Sequence, residues 1–206
     1  MSDIEQIEYL EWIREEDPDE YNLDKFAHDK MYEALLEKTK IFKEKEAIKK
    51  IWNAFKNYTC SLQEIFPLER RPNIPELISE NIIKYIKYNE DDTITRNCVG
   101  DLQSNKTGKI EVKCFSSEGP ISFSPQPSWN IIYFVDFRKW KENKFKCYEC
   151  NIASYSKKWG SIKLNKKEIF NEQCKSKRRP RIGWDKLFEQ IKDDTKLLFE
   201  CDIDSI

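Results

Sequence analysis

Asp101, Glu111 and Lys113 are the residues whose types and spacing suit chemistry. They lie in VGDLQSNKTGKIEVKCFSS, residues 99–117. Two strands are expected, over 99–103 and 109–115, with turn chemistry from Ser104, Asn105, Lys106, Thr107 and Gly108 between them. In the second strand Ile110, Val112 and Cys114 point one way, and Glu111 and Lys113 the other. A charged pair two residues apart in an apolar strand is costly unless its face opens on a cleft, a metal or a partner. Asp101 joins that face across the hairpin. A turn centred on Lys106 sets it opposite Glu111, whereas a three-residue loop closed by Gly108 sets it opposite Lys113. Opposed residues lie roughly 5 Å apart at Cβ. Two carboxylates that close repel unless a cation sits between them. An oxygen-only site suits Mg²⁺, which keeps several waters and shares a substrate phosphate. Lys113 can then orient or deprotonate an attacking water. The bland reading of the same residues is a surface hairpin with a cross-strand salt bridge.

Gly100-Asp101 followed by IEVK, Ile110 to Lys113, resembles the PD-(D/E)xK nuclease signature, with Gly100 where the signature has Pro. GPISFSP (119–125) and RRPRI (178–182) resemble segments of small type II restriction endonucleases. The resemblance implies an α/β (α+β) fold, a restriction-endonuclease-like mixed β-sheet flanked by helices, behind a helical N-terminal region. It implies Mg²⁺ held by Asp101 and Glu111, aided by the Val112 carbonyl, with Lys113 positioning water. It also implies a Glu from the helix before the hairpin at the metal site, for which Glu80 is the first candidate and Glu76 the second. Cleavage would be sequence-specific and double-stranded, by a C₂ homodimer on double-stranded DNA, alongside a cognate DNA methyltransferase. The alternatives are another PD-(D/E)xK nuclease (repair, recombination or RNA endonuclease) and a non-catalytic nucleic-acid-binding module.

Composition allows a real core: 206 residues, 39% hydrophobic and 35% charged. No apolar run approaches the ~20 residues of a membrane span. The acidic N-terminus is unlike a signal or transit peptide. Seven cysteines without framework spacing suit reduced thiols and an intracellular, cytoplasmic protein. The net charge of −1 hides an asymmetry. Residues 1–24 hold ten acids and one base, net −9, while residues 138–181 hold fifteen Lys or Arg and four Glu, net +11. Such polarity fits one phosphate-facing side.

The expected organisation is a helical region over 1–60, for packing or dimerisation, and a nuclease core over 61–206. Ser2 and Glu5 form a capping box for a helix to about Glu15, with Ile4, Tyr9, Trp12 and Ile13 on its apolar side. A long charged helix follows over 22–57, and Ser61 and Glu64 suggest a short capped turn before Pro67. Asn73 and Pro75 start a helix to about Tyr88. The run WNIIYFVDF, 129–137, reads as a central strand buried on both faces. Strands over 144–153 and 197–201 and helices over 165–174 and 184–191 complete the reading.

Two segments suit DNA contact. The loop 116–128 offers Ser116, Ser117, Ser122, Ser124 and Gln126 next to the catalytic strand. The basic run holds Lys175, Lys177, Arg178, Arg179 and Arg181 ahead of a helix. The single histidine, His28, argues against His-metal and Ser-His-Asp chemistry. Cys147 and Cys150 fall on opposite faces of an expected strand, which is unsuited to zinc. No phosphate-binding glycine motif supports nucleotide binding.

Overall fold

The computed structural model describes residues 2–205 except 24, 70, 89, 92 and 97–100; the side chains of 23 and 37–44 are also left aside. The chain forms two compact units, Met1–Ile51 and Trp52–Ile206.

In the first unit, α1 (Asp3–Glu16) starts at the Ser2 capping box, where the Ser2 hydroxyl accepts from Glu5 N at 3.2 Å. Its buried face is Ile7, Leu10 and Ile13, packed with Tyr21 and Leu35. Tyr9 and Trp12, expected inside, stack on each other at the surface instead. Pro18 opens α2 (Pro18–Leu23), where a missing N–H does no harm. Helix α3 (Lys25–Ile65) is longer than expected: Ser61 and Glu64 lie inside it, and it stops two residues before Pro67.

The second unit holds a mixed sheet. Helix α4 (Glu76–Lys87) buries Ile78, Ile82 and Ile83. Then come β1 (Thr95–Arg96), β2 (Leu102–Ser104), β3 (Gly108–Phe115), β4 (Ile121–Ser122), β5 (Ile131–Asp136) and β6 (Lys144–Cys150). Helices α5 (Lys157–Gly160) and α6 (Phe170–Lys175), β7 (Arg181–Ile182), α7 (Trp184–Ile191) and β8 (Thr195–Asp202) follow. The main sheet runs β1-β2-β3-β5-β6-β8, and only β3 and β5 pair in parallel. Strand β5 is buried throughout, as its apolar run implies. Helix α4 packs on β3, where the Cys114 thiol meets the Ser79 hydroxyl. Helix α7 covers the opposite face with Trp184, Leu187 and Ile191 against Ile132 and Phe134, each side chain contributing about 1.5–3 kcal/mol by burial. A six-stranded sheet flanked by helices, behind a helical N-terminal region, is the mixed α+β architecture expected of a restriction-endonuclease-like fold.

Cys147 pairs with Val135 and Cys150 with Ile132, so the two cysteines do face opposite sides of the sheet. The six described cysteines are all free thiols. Asn165 does not start a helix: its side chain accepts Lys167 N and Glu168 N, a local turn that delays α6 to Phe170. Among the described residues no helix is long and apolar enough to cross a membrane.

Candidate active site

The β2–β3 hairpin sets the geometry. Leu102 pairs with Ile110, Gln103 with Lys109 and Ser104 with Gly108. The turn therefore centres on Lys106, the register that would set Asp101 opposite Glu111, but strand pairing ends at Leu102. Two features fix this register. Ser104 Oγ accepts the N–H groups of Lys106 and Thr107 at 2.9 and 3.0 Å and donates to buried Asp91. Gly108 takes φ +78°, a left-handed conformation that glycine adopts without strain. Gly100, the partner of Asp101 in the motif, lies outside the described residues.

Asp101 leaves strand pairing and turns its Oδ2 to accept the Val112 N–H at 2.6 Å. Lys113 Nζ lies 2.5 Å from Glu111 Oε1, with the two side chains 22% and 15% exposed. Burial pushes the Glu111 carboxyl above the usual range; Lys113 opposes the shift, and the charges of Asp101 and Glu76 add to it. Glu80, on α4, is buried at 3% exposure. Burial raises its carboxyl too, Arg96 opposes this, and Asp101 and Glu76 push the same way as burial. Arg96 Nε lies 2.6 Å from Glu80 Oε2 and pairs with this buried carboxylate. Glu76 is exposed. The described residues contain no group of three or more His, Cys, Asp or Glu close enough to hold a metal ion.

A cleft of about 640 Å³ opens beside Asp101 and Lys113. Glu76 and Glu80 line it from α4, and Ser116, Ser117 and Ser122 from the loop after β3. Arg179 and Arg181 line it from the basic run. Ser124 and Gln126 lie away from the cleft lining; the Gln126 N–H donates to Ser124 Oγ at 3.1 Å. Lys177 and Arg178 also stay outside it. Lys177 takes φ 55° as the residue past the end of α6, in a Schellman motif: its N–H donates to Cys174 O, and Arg178 N–H to Gln173 O, both at 2.9 Å. The Arg178 guanidinium donates to Glu168 at 2.7 Å.

Three further residues frame the site. Arg71 donates to the carbonyl and hydroxyl of Ser116 and stacks over Trp140, with 5.2 Å from its guanidinium carbon to the ring centroid. Arg138 binds Asp136, Glu118 and Asp185 and so ties the base of the loop to the end of β5 and the start of α7. Arg96 pairs with Glu80. No spacing in the sequence marks Arg71 or Arg96, because Ser116 and Glu80 lie far from them along the chain.

A mixed sheet that brings Asp101 and Lys113 to an arginine-lined cleft, with Glu80 from α4 and with Glu111 paired to Lys113 outside the lining, points to a nuclease. Residues 37–191 match the family model described as Bsp6I restriction endonuclease, and the chain belongs to that family. It is a type II restriction endonuclease, a site-specific deoxyribonuclease that binds DNA. No curated protein and no solved structure matches the chain.

Proposed function

We propose that this restriction endonuclease works by PD-(D/E)xK chemistry, with Mg²⁺, on both strands of duplex DNA. The observation that carries the reading is Asp101 and Lys113 lining one cleft with Arg179 and Arg181, with Glu111 in ion-pair contact with Lys113. Restriction endonucleases typically use a divalent metal, and the donors here are all oxygen, as Mg²⁺ requires. Burial raises the carboxyls of Glu80 and Glu111; Arg96 and Lys113 oppose the shifts, and the charge of Asp101 adds to both. A cation beside them would offset part of this cost, so the donor chemistry fits. Asp101, Glu111, the Val112 carbonyl and Glu80 would hold it. Bound there, Mg²⁺ would lower the pKa of water and neutralise developing phosphate charge.

The chain's own groups do the rest. The Val112 N–H holds Asp101 in place. Lys113, released from Glu111, holds the attacking water through its ammonium hydrogens. In-line attack on phosphorus breaks the bond to O3′, leaving a 5′-phosphate and a 3′-hydroxyl. Ser116, Ser117, Ser122, Arg179 and Arg181 meet the duplex along the cleft. A C₂ homodimer matches a palindromic site, and a cognate methyltransferase protects the host's own DNA inside the cell.

The test is digestion of a phage genome with purified protein and Mg²⁺, followed by sequencing of the fragment ends. One recurring sequence at the ends, lost on adding EDTA, is expected. Cleavage that persists in EDTA, or ends of random sequence, contradicts the reading.

A further inference from the structure

The loop after β3 and the basic run are distant in sequence, yet the fold makes them one object. Strands β4 and β7 pair antiparallel, Ile121 with Ile182 and Ser122 with Arg181. The Phe123 N–H extends the ladder by donating to Pro180 O at 3.0 Å. Residues alternate along both strands. Ile121, Phe123 and Ile182 are buried in the core cluster with Trp159 and Trp184, and Pro180 is buried between the two arginines. Arg179 and Arg181 are exposed, and with Ser122 they line the cleft. One side of this small ribbon is thus fixed to the core, and the other carries hydrogen-bonding groups.

Among the described residues neither Arg179 nor Arg181 has an acidic neighbour in ion-pair contact, whereas Arg178 is taken up by Glu168. The Ser122 hydroxyl is shielded from solvent and makes no hydrogen bond, so the exposed donors of the ribbon are those of Arg179 and Arg181. The base of the loop is held by Arg71 on Ser116 and by Arg138 on Glu118. The ribbon therefore lines the same cleft as Asp101 and Lys113, with two arginine forks that have no ion pair among the described residues. The major groove of B-DNA admits a two-stranded ribbon, and an arginine fork bonds two acceptors on one base edge.

We propose that the β4–β7 ribbon is the specificity-determining element: Arg181 and Arg179 read base edges. This rests on the nuclease reading above. The segments that phosphate-binding reasoning would group together are thereby divided: Lys177 and Arg178 shape and neutralise the turn after α6, while Arg179 and Arg181 enter the groove.

The test uses the full chain in Ca²⁺, which blocks cleavage, with two duplexes of equal length. One carries the sequence mapped from the wild-type fragment ends, and the other is of random sequence. Arg181→Ala, Arg179→Ala and Arg181→Lys are titrated against both at several salt concentrations, with circular dichroism to confirm folding. The two arginines are exposed, so the substitutions leave the core intact. Each alanine variant should lose about 5- to 150-fold on the mapped duplex and much less on the random one. Arg181→Lys keeps the charge but not the fork, and should lose discrimination as well. Equal losses on both duplexes, or full discrimination in Arg181→Lys, would overturn the proposal. Failure of the nuclease reading is separate: wild-type fragment ends would then show no common sequence.

Discussion

Replacing Gly108 with alanine should destabilise the catalytic hairpin by about 1–3 kcal/mol. The magnitude has three sources. At φ +78° an L-residue pays about 1–2 kcal/mol, and the stiffer unfolded chain returns about 0.4–1. The new Cβ would also sit 2.6 Å from Asn130 Oδ1. This oxygen accepts the Lys109 N–H at 2.9 Å, so Asn130 must swing away and lose a bond of about 0.5–1.5 kcal/mol. A double-mutant cycle separates the sources. In an Asn130→Ala background the clash is gone, and Gly108→Ala should cost less by the value of that bond. The assay is urea denaturation with a common slope, run beside DNA cleavage under conditions where each variant is folded. Cleavage should fall as well, because a slip of one residue would turn Asp101 away from the Glu111 face. An unchanged midpoint, or the same cost in both backgrounds, would refute the reasoning.

Lys113→Ala should leave a folded protein whose single-turnover cleavage is slower by on the order of 10²-fold or more. Full rate at saturating Mg²⁺ would remove Lys113 from the chemistry. Glu168 should titrate far below an ordinary Glu, at about 2, because Asn165, Arg178 and Gln173 donate to it. A carboxyl held low when folded stabilises above its unfolded value, and that contribution is lost as pH falls towards 2. NMR titration should show its pKa rising in Arg178→Ala, and no change would mean that Arg178 is free for other partners. Lys177→Gly should raise stability by about 0.5–1 kcal/mol in urea denaturation, since a side chain at φ 55° is strained. A loss there would show that the lysine side chain makes a contact of its own.

Much of the framework is legible in local patterns. The WNIIYFVDF run reads as a buried strand from its length and its β-branched and aromatic residues, and Trp184, Leu187 and Ile191 show the period of a helix lying on a sheet. The face shared by Glu111 and Lys113 follows from strand alternation alone. The register of the hairpin does not, because it depends on Asp91, which grips Ser104 from outside the hairpin. Nor does the β4–β7 ribbon: two-residue strands carry no periodicity, and their pairing closes a gap of about sixty residues, read from Ser122 and Arg181. Glu80 was readable as a helix residue but not as a buried one, since only the packing of α4 on β3 decides which side of the helix is covered. Arg71 and Arg96 leave no trace in the sequence for the same reason: each is meaningful only through a partner that folding brings near.

The central claim is that Asp101 and Glu111 jointly hold the ion that activates cleavage, and Asp101→Asn and Glu111→Gln test it most directly. Both replacements keep the size of the side chain while removing the charge. Each variant is assayed for cleavage of the mapped site across a Mg²⁺ titration and for binding of the same duplex without metal. Loss of cleavage at every Mg²⁺ concentration, with DNA binding retained or tightened as carboxylate–phosphate repulsion disappears, is the predicted result. Wild-type cleavage rates in either folded variant would contradict the assignment.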